Sequence, residues 1–430
     1  MKICRKKYYK ITFTLASPLA IGDGSNYTTD RDVVRNGKGL PYIPASAVAG
    51  VSRSIFLDQK DLRDTYFGKV DINEKSDNKT KPEAWESRLI FYDANMVSDE
   101  GYHISVRDSV ALDEYKTAIE GAKFDMEILE PGVVFTTYIE QNYYDGSEED
   151  IAGRIADYWL AQKLHFGGKV MRGYGAIRDV SVWEREFSLD KDGIDGYLSF
   201  DMYDDACWKD ARKVECRDTV DDNMVVLRLH IKQKGGISIR RYTTRVPKKE
   251  EKFEPDSEQL LVRVGEREIP VIPGTSWAGA FKHRMKELMP GYDEVALFGC
   301  AGDKQKIRSR IRFGETQLNH ATSKEMVRNA IDRFSGGATD QALFAERTYY
   351  GGDGELVIEV QKDRLTQDVT KVLAATICDL DLGFLAVGGL TAIGRGLFEV
   401  TQIAIDGEPL EYERQNMYSS IVRKLGGVQG

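Results

Sequence analysis

Pro41-Tyr42-Ile43-Pro44-Ala45-Ser46-Ala47-Val48-Ala49-Gly50 returns 229 residues later as Pro270-Val271-Ile272-Pro273-Gly274-Thr275-Ser276-Trp277-Ala278-Gly279. Outward from this pair the echo continues. Tyr66-Phe67-Gly68 matches Leu297-Phe298-Gly299, and Ser87-Arg88-Leu89-Ile90-Phe91 matches Ser309-Arg310-Ile311-Arg312-Phe313. Val110-Ala111-Leu112-Asp113 matches Asn329-Ala330-Ile331-Asp332. Phe166-Gly167-Gly168, followed by Arg172-Gly173-Tyr174-Gly175, returns as Val387-Gly388-Gly389, followed by Ile393-Gly394-Arg395-Gly396. Anchors in one order at a nearly constant offset are the mark of a duplicated domain. In one place the copies differ chemically: Tyr27-Thr28-Thr29 precedes Asp30, whereas Tyr242-Thr243-Thr244 precedes Arg245.

The 430 residues suit two domains, each able to bury its own core. No apolar run approaches the roughly 20 residues that span a bilayer, and the N-terminal Met-Lys-Ile-Cys-Arg-Lys-Lys lacks the apolar core of a signal peptide. A cytoplasmic protein without a membrane partner is expected. Five cysteines without CxxC spacing fit a reducing compartment and argue against a structural zinc site. The net charge of −9 hides a segregation. Residues 232–252 hold eight bases against two acids, and 190–222 hold eleven acids against five bases. A polyanion could use the basic stretch, although any single charge run is usually a solvated loop.

Each copy reads as α+β, a ferredoxin-like βαββαβ unit. Tyr8–Ala16 alternates as a half-buried strand, and Pro44-Ala45-Ser46 opens a helix with Ser46 as N-cap. Leu89–Ala94 and Gly132–Ile139 are further strands; Ser147-Glu148-Glu149-Asp150 resembles a capping box before a second helix, and Ala176–Val182 closes the unit. In the second copy the corresponding elements are Met224–Lys232, Thr275–Leu288, Glu355–Val360 and a helix capped by Thr366. Residues 98–127 and 317–348 are insertions, read as projecting arms. The expected layout is domain 1 over 1–184, an acidic linker over 185–223, domain 2 over 224–405 and a tail over 406–430.

The chemistry suits RNA. A Gly-rich turn brings backbone N–H groups close to phosphates, here at Gly167, Gly168, Gly173, Gly388, Gly389 and Gly394, and Arg172 and Arg395 add charge. Helix starts at Ser46 and at Thr275-Ser276 present N–H groups to an anion, with Arg53 and Lys282 two turns further on. Arg35, Arg240, Arg241 and Arg245 are further phosphate candidates, and Tyr174 is a stacking candidate. Each loop alone is as well explained as a structural turn; the repetition of loop, helix start and base favours RNA. The Gly-rich stretches follow a helix and lead into a strand, the reverse of a dinucleotide site.

The "PYIPxSxxxG" helix start, "LFG", "SRIRF", "VRNAIDRFSGGA" over 327–338 and the late "GGxxxxGxG" resemble the RAMP superfamily of CRISPR proteins, specifically the repeated backbone subunit of type III effector complexes. The resemblance covers about 1–183 and 224–405, as two fused backbone subunits. It implies guide RNA, target single-stranded RNA and other RAMP-type subunits as partners, and thumb-like arms that interrupt the guide–target duplex. In the target-cleaving members an aspartate precedes a "VIR" and a "GLPYIP" segment. Here Val33-Val34-Arg35 and Gly39-Leu40-Pro41-Tyr42-Ile43-Pro44 match, which sets Asp30 on the catalytic and metal-binding position. A carboxylate there deprotonates the ribose 2′-OH or holds a divalent cation, Mg2+ being the expected one.

Asp32, read as facing solvent or Arg35, and Asp23, read as shaping a turn, are the competitors. Asp256 is read as too far along to align with Asp30. Departures from the family are Ala49 and Ala278 where a lysine is usual. The five histidines share no motif, which argues against a stand-alone guide-processing RNase. An architectural subunit in which Asp30 has no catalytic role is the second reading.

Overall fold

The computed structural model describes the chain except residues 1, 23, 25–28, 71–83, 113–117, 145, 147, 148, 218, 219, 221, 222, 241–254, 302–305 and 428–430. The chain forms two compact units. Unit 1 comprises Met1–Ser105, Glu127–Gly168 and Gly175–Asp222; unit 2 comprises Val106–Met126, Lys169–Tyr174 and Asn223–Gly430. The unit boundaries therefore differ from the repeat boundaries: an arm and part of a Gly-rich loop from the first copy are folded into unit 2.

In unit 1 the alternation of Tyr9, Ile11, Phe13 and Leu15 puts one face of the first strand, Ile3–Leu15, into the core. That strand lies between the closing strand Ile177–Ser188 and the third strand Val134–Tyr144, antiparallel to both. Leu89–Phe91 pairs on the far side of the third strand. The spatial order of closing, first, third and second strand is that of a ferredoxin-like sheet. Helices Ala45–Ser54 and Ile151–Leu160 supply Val48, Ile151, Ile155 and Trp159 to the same core.

Unit 2 repeats this plan. Met224–Gln233 is flanked by Phe398–Ile405 and Asp353–Gln361, with Ile311–Phe313 beyond the latter. Helices Gly274–Leu288 and Gln367–Leu382 bury Trp277, Phe281, Val369, Leu373 and Ile377. The duplication extends to single hydrogen bonds. The Ser87 hydroxyl donates to Tyr66 O and Leu89 O, and the Ser309 hydroxyl donates to Leu297 O and Ile311 O. Phe67 stacks on Phe91 at 5.8 Å as Phe298 does on Phe313 at 6.3 Å.

Several local readings change. Ser46 is not the N-cap: Pro44 holds that place, and the Ala45 N–H is met by the Asp93 carboxylate at 2.7 Å. The proline fixes an extended φ of −58° directly before the first turn, so the helix starts one residue after it. The second helix of unit 1 is capped by Asp150, which accepts from Gly153 N at 2.8 Å; Ser147 and Glu148 lie outside the described residues. Thr366 caps as expected, accepting from Val369 N.

The segment read as an acidic linker is folded. The closing strand runs on to Ser188, and Phe200 and Trp208 pack with Tyr8, Tyr138 and Phe187 on the sheet face opposite the helices. Its aromatic residues, interleaved with the acids, drive this burial. The tail carries a helix, Met417–Gly426, that buries Met417, Ile421 and Leu425 in the unit 2 core. Both insertions are β-hairpins, Ile104–Leu112 with Ala118–Leu129 and Thr322–Ile331 with Ala338–Tyr350. No helix among the described residues is long and apolar enough to cross a membrane.

Candidate nucleic-acid interface and cleavage loop

The loop carrying Asp30 is pinned on both sides of that residue. Val34 N–H donates to Ile21 O at 2.8 Å, and Arg31 O accepts from Glu127 N–H at 2.9 Å. The Glu127 carboxylate takes Val33 N–H and the Arg35 guanidinium, each at 2.9 Å. Asp32 is buried and accepts from the Thr29 N–H at 2.9 Å and the Thr29 hydroxyl at 3.0 Å. Asp32 thus faces neither solvent nor Arg35: it closes a three-residue turn, a common use of a short carboxylate. Asp30, two residues earlier, is exposed at the apex of that turn. Asp23 lies outside the described residues.

The register of the second copy reassigns the counterpart of Asp30. Leu260 N–H donates to Ile239 O at 2.7 Å, as Val34 does to Ile21. Four residues before Val34 stands Asp30, and four before Leu260 stands Asp256. The second loop is longer, and the extra residues fall ahead of this anchored end, so Asp256 aligns after all. Its carboxylate accepts from Ala345 N at 2.7 Å while its own N–H donates to Ala345 O at 2.8 Å, clamping the loop onto the hairpin strand. The match that sets Arg245 against Asp30, and Arg241 beside it, lies outside the described residues.

The two Gly-rich loops make matching backbone hydrogen bonds, and these N–H groups serve the fold. Gly168 N–H donates to Ala20 O and Gly389 N–H to Ser238 O; Gly175 N–H donates to Pro18 O and Gly396 N–H to Gly236 O. Gly175 and Gly396 both have φ of +73°, and a Cβ on either would lie 1.9 Å from a backbone oxygen. These glycines are required for close approach of two chain segments rather than of a phosphate. Tyr174 is 7% exposed, under the Arg107 guanidinium, and offers no face for base stacking. Arg395, its counterpart, is 6% exposed and bonded to the Glu346 carboxylate and the Tyr350 hydroxyl.

The remaining candidates divide by partner. Arg53, Arg172 and Arg240 are exposed, as are Ser46 and Thr275 at the helix starts. Lys282 is ion-paired with Glu294 at 3.0 Å, and Arg35 with Glu127. Ser276 N–H donates to Pro273 O within the first turn. The "VRNAIDRFSGGA" stretch forms the end of the second hairpin. Asp332 accepts from Phe334 N–H and Ser335 N–H, and these bonds, Ser335 first, hold its carboxyl below the usual range. The turn leaves Phe334 96% exposed.

Among the described residues no group of three His, Cys, Asp or Glu side chains is placed to hold a metal ion. Among the described residues of the loop the exposed carboxylate is Asp30, Asp32 being buried on Thr29, so a hard divalent cation held there would draw its other ligands from RNA phosphates and water.

The profile of the RAMP superfamily matches residues 12–178 and 228–399, one match per repeat. The chain belongs to the RAMP superfamily. Membership makes it a CRISPR-associated RNA-binding subunit, built from two fused RAMP domains. A search of curated proteins returns no match.

Sequence reasoning missed Glu127, Asp93 and Glu346, the carboxylates that hold the loop, the first helix and Arg395. Each acts across more than 40 residues of sequence, and no local pattern marks it.

Proposed function

We propose that this RAMP protein is a guide-RNA-binding backbone subunit of a type III CRISPR effector complex, and that Asp30 cuts target RNA. The observation that carries the reading is an exposed carboxylate on a loop immobilised by Asp32 and Glu127 at the foot of a hairpin. A fixed carboxylate takes the proton of a ribose 2′-OH as that oxygen attacks the adjacent phosphorus. The 5′-oxygen leaves with a proton from solvent, giving a cyclic phosphate and a 5′-hydroxyl. A bound Mg2+ would supply charge stabilisation to the same phosphate.

The hairpins fit the part of thumbs that separate stretches of guide–target duplex. Phe334, a bare aromatic at a hairpin end, suits a wedge against a terminal base pair. The exposed Arg53, Arg172 and Arg240 suit backbone phosphates.

The test is Asp30→Ala in the complex assembled on guide RNA, with target fragments mapped at both ends. Loss of one cut is expected, with target affinity within about threefold, since phosphate contacts are spread over two repeats. Cleavage persisting at every position makes Asp30 non-catalytic and leaves the architectural reading.

A further inference from the structure

We propose that an aromatic cavity in unit 1, on the sheet face opposite the helices, takes an arginine side chain from a basic segment of a partner protein. The cavity is about 380 Å³ and is walled by Tyr8, Tyr92, Tyr197, Phe200, Tyr203 and Asp201. Ligand pockets begin at about 300 Å³, so one long side chain fits. The Tyr92 and Tyr203 rings lie 6.5 Å apart at 88°, and the Tyr8 and Phe200 rings 5.0 Å apart at 53°. Rings crossed in this way offer faces and edges to the same space, and a cation is attracted by each face within about 6 Å of it. Leu198, also on the lining, is 73% exposed and Tyr203 63%, an uncovered apolar rim of the kind that marks an interaction site.

The charge around the cavity selects a cation. Burial first, then the charges of Asp93 and Asp201, push the Tyr203 hydroxyl up, so both carboxylates act at the mouth. Asp201 accepts from Tyr203 N–H at 2.9 Å and Asp93 from Ala45 N–H at 2.7 Å, and neither has an ion-pair partner among the described residues. The cations close by are already engaged. Lys6 meets Glu140 at 2.6 Å with its ammonium 5.3 Å from the Tyr197 ring, and Arg185 donates to Cys207 O. The excess of acids over 190–222 extends the same field. Such a field repels phosphates, which sets this face apart from an RNA surface. A guanidinium suits it, being planar, weakly hydrated and able to stack on a ring while donating to a carboxylate.

The cavity is built onto repeat 1. Leu15 N–H donates to Val133 O as Gln233 N–H donates to Gly352 O, and the strand pairing runs unbroken from there. This register sets Tyr8 and Tyr138 against Val226 and Val357, so the second sheet has aliphatic residues where the first has rings. The covering segment also differs. After its closing strand repeat 1 supplies residues 190–208 to this face, whereas repeat 2 supplies helix Met417–Gly426, which packs into the core. Rings on the strands and acids on the added segment thus come together in one copy, independently of the duplicated loops and helix starts. The cleavage reading of Asp30 does not enter this argument.

Fluorescence anisotropy on the purified full chain tests it, with a fluorescein-labelled peptide of alternating glycine and arginine and a glycine–glutamate peptide as blank. Saturable binding of the arginine peptide below about 1 mM is expected, and none of the blank. Tyr203→Ala removes an exposed ring and weakens binding at least about threefold, whereas Tyr203→Phe keeps the ring and the affinity. Asp201→Asn keeps the acceptor for Tyr203 N–H but loses the charge, which weakens binding at least about twofold and flattens its salt dependence. Asp192→Asn with Asp195→Asn, acids of the same segment that do not line the cavity, leaves binding unchanged. Thermal unfolding curves matching the parent show that each variant is folded. A peptide that does not bind, binding indifferent to Tyr203→Ala, or an equal loss from the Asp192 and Asp195 changes overturns the proposal. So does single-stranded RNA binding that falls in Tyr203→Ala while peptide binding holds, since the rings would then serve RNA.

Discussion

The Arg395 and Glu346 side chains are 8% and 4% exposed, and the same carboxylate reaches Arg328 at 2.8 Å. Removing one member of a buried pair strands the other charge, at a cost of about 3–5 kcal/mol. Arg395→Ala is therefore expected to lower the thermal midpoint sharply and to reduce RNA binding only in step with unfolding. A folded variant with a normal midpoint and lost RNA binding would return Arg395 to the RNA. Asp32 is the companion case. Asp32→Ala removes two acceptor contacts to Thr29, about 1–3 kcal/mol of local order, and should lose the cut assigned to Asp30 although the Asp30 carboxylate remains. Fragment mapping on that variant distinguishes a positioned carboxylate from a tolerant one. Residue identity made Asp30 legible through its spacing from Val33-Val34-Arg35 and Pro41-Tyr42-Ile43-Pro44. The function of Asp32 was not legible, because a buried turn-closing aspartate and a solvated one read alike in a polar loop.

The first strand and second helix of unit 1 are tied by Lys7, whose ammonium meets Asp150 at 2.7 Å and Glu184 at 3.0 Å. Burial pushes both carboxyls up, but hydrogen bonds and charge from Lys7, with Tyr9 at Asp150 and Arg212 at Glu184, outweigh it and hold both below the usual carboxylate range. Carboxyls depressed in the folded state add stability that is fully present above their unfolded values near 4 and is lost as pH falls through the lower folded ones. Lys7→Met removes the cation, raises both carboxyls, and should move the acid unfolding midpoint of unit 1 upward. Acid titration followed by tryptophan fluorescence reads this directly; an unchanged midpoint would leave the network without net effect. At the hairpin, Phe334→Ala should weaken target-duplex binding by about 1–3 kcal/mol if the ring stacks on a base, without altering the thermal midpoint, since the ring packs on so little of the protein.

Strands were legible wherever one face is wet, as in the alternation of Ile3–Leu15. Caps supplied from a distance, such as Asp93 at Ala45, were not.

At the scale of the molecule the duplication was legible because close-approach glycines and the Ser87 and Ser309 hydroxyls tolerate few replacements. The allocation of residues 106–126 and 169–174 to unit 2 was not, since nothing in their sequence states which core they join. The two copies hold exposed carboxylates at corresponding places, and the Asp256 carboxylate accepts from Ala345 N–H on the second hairpin. On the proposed reading of Asp30, one cut per chain is the expected outcome. Asp256→Ala should leave the Asp30-dependent cut in place and loosen the loop–hairpin contact, visible as faster amide exchange at Ala345. A separate cut erased by Asp256→Ala alone would give the second repeat a site of its own.

The shared segments also bear on how the chain is made. Once residue 222 has left the ribosome, every residue of unit 1 has been synthesised, but two pieces of unit 2 are already out and have nothing to fold against. They must wait through the synthesis of some two hundred more residues, on the order of ten seconds or more at ordinary translation rates. A chain stopped near residue 222 would therefore carry the hairpin segment and the Gly-rich loop without the residues they cluster with, and the fusion keeps that completing half on the same polypeptide.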